Sequence, residues 1–361
     1  MIRGKTVNCI AIWCTGQKVG QETANTYNLE CHFNYWLLGD SSVNCFLDIG
    51  LMVLGNSPPM DTINIYLPAK LSESNLTDLG SLFRSSTELV SAIFNADYIV
   101  SSGSQEKTID ICRADRTFLF SIYQLDIEND VTILNQFGGS TISIKVPEYL
   151  KNKKHYYRIR LKCDFVKQIN YIYKPPLNSM LEGAFLQTEL VDFRVNEKRN
   201  LPASLLELIR GEVKTSFKIS HFFLMREAKD DYIFSHSLPA GRQLESHIWT
   251  SYVGTEYPFH RVIAYRWSET DPSSLCIFIK FKSFRSNKWT IIVTLTLILI
   301  FGVIGSCIGN KVFSCMPKYN SDNVSMRKRL IWKSDAISLE EQALLPSLKL
   351  VYKDTVNTQR N

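Results

Sequence analysis

From Trp289 to Gly309 the chain runs without a charged residue, through Ile, Leu, Val and Phe interrupted after Trp289 only by Thr, Gly, Ser and Cys. As an α-helix rising about 1.5 Å per residue, this stretch reaches roughly 31 Å, against about 30 Å for the hydrocarbon core of a bilayer. Its Ile, Leu, Val and Phe side chains each favour insertion by about 0.3–0.6 kcal/mol, which together outweighs the Thr, Gly and Ser among them. Lys288 and Lys311 bound the run, and Trp289 has the amphipathic ring of an interfacial anchor. The sequence therefore predicts one transmembrane helix over 289–309, with the lipid bilayer as its first partner.

Orientation is less constrained, because Lys280, Lys282, Arg285 and Lys288 precede the helix while Lys311, Lys318, Arg327, Lys328 and Arg329 follow it. With cations so balanced, the positive-inside rule does not choose between the two sides. The N-terminal region is expected in the cytoplasm. Its start, Met1 to Gly16, carries Arg3 and Lys5, but the apolar run from Cys9 to Cys14 is shorter than the roughly 7–15 residues of a secretory signal. Within the helix, Gly302 with Ser306 and Gly305 with Gly309 have the four-residue spacing of small residues that lets two helices approach, so a homo-oligomer is a candidate assembly. Thr290 and Thr294 add a polar edge one turn apart, which suits a pore only if many copies gather.

The region before the helix is long enough for one large domain or two ordinary ones in a chain of 361 residues. With 45% hydrophobic and 21% charged residues it is globular in composition, and 20 Phe and 16 Tyr lean toward strands. A net charge of +6, much of it flanking the membrane segment, implies no nucleic acid. The nine cysteines lack a tight repeated spacing and read as mostly reduced and buried, a disulfide framework being the alternative.

Strand character recurs at Thr26 to Leu37, Val43 to Leu54, Thr62 to Leu67, Thr108 to Cys112, Thr117 to Ile127, Ser140 to Val146 and Tyr156 to Phe165. In Ser140 to Val146 the residues Ile142, Ile144 and Val146 share one face, as a half-buried strand requires, and Gly138-Gly139 supplies a turn before it. Further strands are expected at Phe185 to Val195, Phe217 to Met225, His260 to Trp267 and Leu275 to Phe284. Helical spacing appears at Thr87 to Asn95, after Asn200 as cap with Pro202 in the first turn and Gly211 as stop, and at Arg242 to Tyr252. The fold class that follows is α+β, predominantly antiparallel β with a few short helices, then the C-terminal transmembrane helix. Pro175-Pro176 suggests a boundary, giving a β-rich region 1–174, an α+β region 175–285 that is either separate or part of the same domain, the helix 289–309, and a tail 310–361 with a short amphipathic helix near Ser338 to Leu345.

Chemistry-bearing residues concentrate late in the chain, where His221, His236, His247 and His260 accompany Arg226, Arg242, Arg261 and Arg266. Arginines can hold a phosphate or carboxylate and a histidine can move a proton, so these eight are the candidate ligand-binding residues for an anionic ligand. Solvated or packing roles compete with that reading, because the residues are spread over several elements. No HExxH, CxxC pair, His-x-His or GxSxG pattern occurs, so neither a metal, a cofactor nor a catalytic residue is implied. Cys31 and His32, adjacent on a strand, should point to opposite faces and so do not form a nucleophile and base. In the tail, Arg327-Lys328-Arg329 suits anionic headgroups, Leu344-Leu345 behind Glu340 resembles a sorting signal, and Asn75 and Asn323 begin glycosylation sequons. The reading that follows is a membrane-anchored recognition or sensor module binding a protein or anionic ligand. The alternatives are a membrane-tethered enzyme using residues 221–266 and a membrane-disturbing effector that oligomerises through its helix.

Overall fold

The computed structural model describes residues 9–16, 26–39, 45–103, 105–173, 186–254, 257–284 and 288–315. They form two compact units, one extending to Ile291 and one from Ile292 onward.

The first unit is built on a ten-stranded sheet. Its order runs β16 (Ala240–Gln243), β17 (Val262–Thr270), β14 (Thr215–Glu227), β2 (Tyr27–Leu37), β3 (Cys45–Val53), β11 (His155–Leu161), β8 (Phe118–Tyr123), β7 (Thr108–Cys112) and β6 (Ile99–Ser102), with β5 (Leu76–Asp78) also beside β11. Pairing is antiparallel except between β2 and β14 and between β8 and β11. Two four-stranded sheets complete the β structure. One is β1 (Ala11–Thr15), β4 (Thr62–Leu67), β10 (Ser140–Lys145) and β9 (Val131–Leu134); the other is β12 (Asn170–Tyr173), β13 (Leu186–Val195), β18 (Leu275–Phe284) and β15 (Asp231–Ser235). The bridge Ile10↔Val195 joins these two sheets.

Period-two alternation decides the layers. Along β2, Leu29, Cys31, Phe33, Tyr35 and Leu37 enter the main core, which they share with Leu47, Ile49 and Leu51 of β3 and with Ile63, Ile142, Phe193 and Ile277 from the two smaller sheets. Trp36 and, from β3 and β11, Phe46, Met52 and Tyr156 point the other way, into a second core closed by α1 (Thr87–Phe94) and α5 (Ser246–Val253). The single-turn helices α2 (Ile127–Asp130) and α3 (Asp164–Gln168) sit in connections. A third cluster forms where α4 (Ala203–Gly211) puts Leu205 against Ala11, Trp13 and Tyr66. The unit is thus α+β and mostly antiparallel. The turn before β10 carries Phe137 and Gly138 at φ 56° and 75°, the type I′ geometry that matches strand twist.

Several boundaries differ from the sequence reading: β8 ends at Tyr123 and Ile127 opens α2, β11 ends at Leu161 and Phe165 lies in α3, and His260 and Arg261 form a 3-10 turn before β17. Arg242 and Gln243 are not helical but form β16 against Ala264 and Ile263, because the edge of β17 offers their backbone a ladder before α5 begins at Ser246. Asn200 does not cap α4; it closes a 3-10 turn and its side chain bonds Glu197, leaving Pro202 at the cap position.

The described residues of the second unit lie in α6 (Lys288–Cys315), whose segment Ile291–Val312 has a mean hydropathy of 2.7 over its apolar window and none of it buried. It is long and apolar enough to cross a membrane. An added Cβ at Gly302, Gly305 or Gly309 meets open space. The Pro175-Pro176 boundary, Asn323, the basic triplet 327–329 and the tail helix lie outside the described residues.

Candidate functional site

The eight His and Arg residues singled out by sequence do not converge on one pocket. Arg226 is fully buried in the main core as an ion pair with Glu189 and Asp230 at 2.8 Å each, its guanidinium 4.6 Å from the Phe281 ring. Burial would raise the Glu189 carboxyl, but Arg226 and the Asn170 and Ser283 side chains outweigh it and hold it below its ordinary value. His221 stands opposite His32 in register on β14 and β2, with ring centroids 5.2 Å apart and Nδ1 2.7 Å from Ser268 Oγ. Burial and then Arg266 push its pKa down. His236 lies 3.7 Å from Glu269, and His247 of α5 is exposed 3.6 Å from Glu88. Arg242 donates to the Ala92 carbonyl at 3.1 Å. Together with His260, it lines a shallow recess of about 480 Å³ that also includes Gln243, Ile263 and Tyr265. Arg261 and Arg266 are exposed. Along α6, Gly302, Gly305 and Ser306 are exposed and Gly309 is half-buried.

A larger cleft, about 830 Å³, opens where β2 ends, β3 begins and β11 ends. Lys70, Lys162 and Lys167 line it against one carboxylate, Asp164, which is paired with Lys167 at 3.0 Å. Phe46, Leu38, Val253 and Tyr257 form an apolar wall. Lys162 sits with its ammonium 5.6 Å from the Phe46 ring centroid. A volume of this size falls in the range of about 300–1,000 Å³ used for ligands, and the mixture of apolar wall and cations suits an anion attached to an apolar body.

The wall is held by a buried polar network. Alternation along β11 puts Arg158 and Arg160 on the second-core face, and register sets Arg160 opposite Asp48 of β3. Arg160 grips Asp48 with Nε at 2.7 Å and Nη2 at 3.2 Å, while Nη1 reaches the Tyr252 carbonyl at 3.2 Å. Asp48 also accepts from the Tyr252 hydroxyl at 2.7 Å and Trp36 Nε1 at 3.0 Å. These bonds pin the C-terminal turn of α5, and with it Val253, to the sheet. Burial disfavours the Arg160 charge, but Asp48 outweighs it and leaves the guanidinium more firmly protonated than usual. Arg160 also lies 4.1 Å from the Phe46 centroid, so the same cation positions the ring that forms the wall. Arg158 donates to the hydroxyls of Tyr252 and Tyr156 at 2.6 and 2.7 Å. Tyr156 fits because Gly50 lies beneath it; a Cβ there would come within 1.9 Å of the phenol oxygen.

None of the cleft residues stood out in the His and Arg constellation. The signal that points to them is the alternation Tyr156, Arg158, Arg160, Lys162, which places successive cations on one face of a strand. No protein family and no curated protein matches the chain.

Proposed function

We propose that the chain is a membrane-anchored, non-catalytic recognition module, held in the bilayer by α6 and binding an acidic segment of a partner protein in the cleft of Lys70, Lys162 and Lys167. The observation that carries this reading is the excess of lysines over carboxylates around an apolar wall, on strand ends made rigid by the Asp48–Arg160 pair. The cleft is roomier than a lone small anion needs. The first unit belongs on the cytoplasmic side in this reading, supported by the seven cysteines from Cys9 to Cys276, all free thiols, the chemistry of a reducing compartment. Self-association along Gly302, Gly305, Ser306 and Gly309 is part of the same proposal, supported by the four-residue spacing of these small residues along one helix.

The test is fluorescence anisotropy of a labelled oligoglutamate peptide with the detergent-solubilised full-length chain. Binding should weaken with rising salt, and K162E/K167E should weaken it about tenfold, since exposed charge contacts contribute about 0.2–1 kcal/mol each and reversal makes them repulsive. Equal affinity for wild type and the double variant would sink the reading.

A further inference from the structure

The wall of the cleft contains two thiols. Cys45 opens β3, and Cys163 follows the end of β11 and precedes α3. The strands pair antiparallel as far as Leu47 opposite Leu161, and continuing that register by two residues, past the end of β11, sets Cys163 against Cys45. Cys163 keeps an extended backbone, φ −153° and ψ 170°, so the alternation continues to it. Both side chains lie on the main-core face: Cys45 belongs to that core and Cys163 packs against it. Both also line the cleft, which gives a small reagent a route to them. Residues directly opposite on antiparallel strands have Cα atoms about 4.5–5.5 Å apart, inside the window of about 4.4–6.8 Å that a disulfide spans.

We propose that Cys45 and Cys163 are a redox-modification site, joined reversibly into an intramolecular disulfide by exchange with a low-molecular-weight disulfide such as oxidised glutathione. Cys163, the more accessible of the two, reacts first. Its thiolate attacks one sulfur of glutathione disulfide, that bond breaks, and the released glutathione thiolate takes up a proton. The Cys45 thiolate then attacks Cys163 Sγ in the mixed disulfide and expels the second glutathione, which is protonated in turn. Two protein thiols are oxidised and one glutathione disulfide is reduced to two thiols. Burial raises both protein thiols above their ordinary pKa, opposed by Lys167 at Cys45 and by the backbone N–H groups of Val166 and Phe165, then Lys167, at Cys163, so exchange quickens as pH rises. Among the other thiols, Cys14 and Cys31 are enclosed in the main core, and Cys9 is fully buried with its S–H directed at the carbonyls of Ile10 and Glu197, whereas Cys112, Cys276 and Cys307 are accessible and also take glutathione adducts. This chemistry does not depend on what the cleft binds.

The experiment treats the folded full-length chain in detergent with oxidised glutathione, blocks remaining thiols with N-ethylmaleimide, and maps peptides by mass spectrometry without reduction. The expected result is one cross-link, Cys45 to Cys163, with a loss of two hydrogens, reversed by dithiothreitol and accompanied by a rise in Tm. In C45S, Cys163 should stop at the glutathione adduct. Maleimide on both Cys45 and Cys163 after oxidation, or a bridge from either to another cysteine, overturns the proposal; because the wild-type chain carries this readout, it stands even if the serine variant misfolds.

Discussion

Asp48 has no exposed surface and holds Arg160, Tyr252 and Trp36 at once, so its removal leaves a buried guanidinium without its counter-charge. Breaking one half of such a pair costs about 3–5 kcal/mol, and Asp48→Ala should lower the Tm of the first unit sharply, as thermal scans on the solubilised chain will register. His155 tests the opposite effect, burial of a neutral base. Desolvation pushes its pKa down to about 4, only partly offset by its Nδ1 contact with the Lys153 carbonyl at 2.7 Å. A folded-state pKa below the unfolded value of about 6.5 means the unfolded chain binds the proton first. The stability this group permits is therefore intact above pH ~6.5 and lost as pH falls toward 4, by about 3 kcal/mol in all. His155→Phe should flatten that part of the profile, measured as the Tm difference between variant and wild type from pH 7 to pH 4. His32 shifts the same way, lowered by burial and then by His221 and Arg158, and should add to the loss of stability as pH falls below ~6.5.

Elements carry their own instructions where the local signals are strong. Helix α1 starts at Ser86, whose hydroxyl accepts from Leu89 N at 3.1 Å, and stops at Asn95 in the left-handed region at φ 54°. Replacing a serine cap by alanine costs about 1 kcal/mol, so Ser86→Ala should reduce stability by that amount in equilibrium unfolding. Long alternating segments such as Tyr27–Leu37 and Leu275–Phe284 were legible to within a residue, because strong β-formers and a two-sided burial pattern agree. Short strands were not. The run Ala11–Thr15 reads as a brief apolar stretch, and only pairing with Thr62–Leu67 makes it a strand. Ala240–Gln243 carries Gly and Arg in a pattern that suits a helix start as well, and the free edge of β17 decides the matter.

At the scale of the whole molecule, the chain divides at Ile291 into two units, and the proposed anchoring is checked by deleting 289–309: the intact chain should stay with membranes through alkaline carbonate extraction and the deletion should leave them. The uncharged run could be read from sequence alone because insertion depends on the summed hydrophobicity of contiguous residues, a property that needs no tertiary partner. The same holds for the strand-rich class and the period-two faces. The site was different in kind. Arg158, Arg160 and Lys162 are visible as an alternation, but sequence does not say which face of β11 is covered, nor that Asp48 lies 112 residues away at bonding distance from Arg160. Likewise the histidines and arginines of 221–266 look clustered along the chain yet separate into a core ion pair, a histidine pair and exposed surface. Local propensity and burial pattern are written in neighbouring residues, so the sequence by itself determined the helix long and apolar enough to cross a membrane, the α+β class and most strand faces. The cleft, its buried support and the Cys45–Cys163 juxtaposition arise from the register of strands far apart in the chain, and only the packed sheet sets that register.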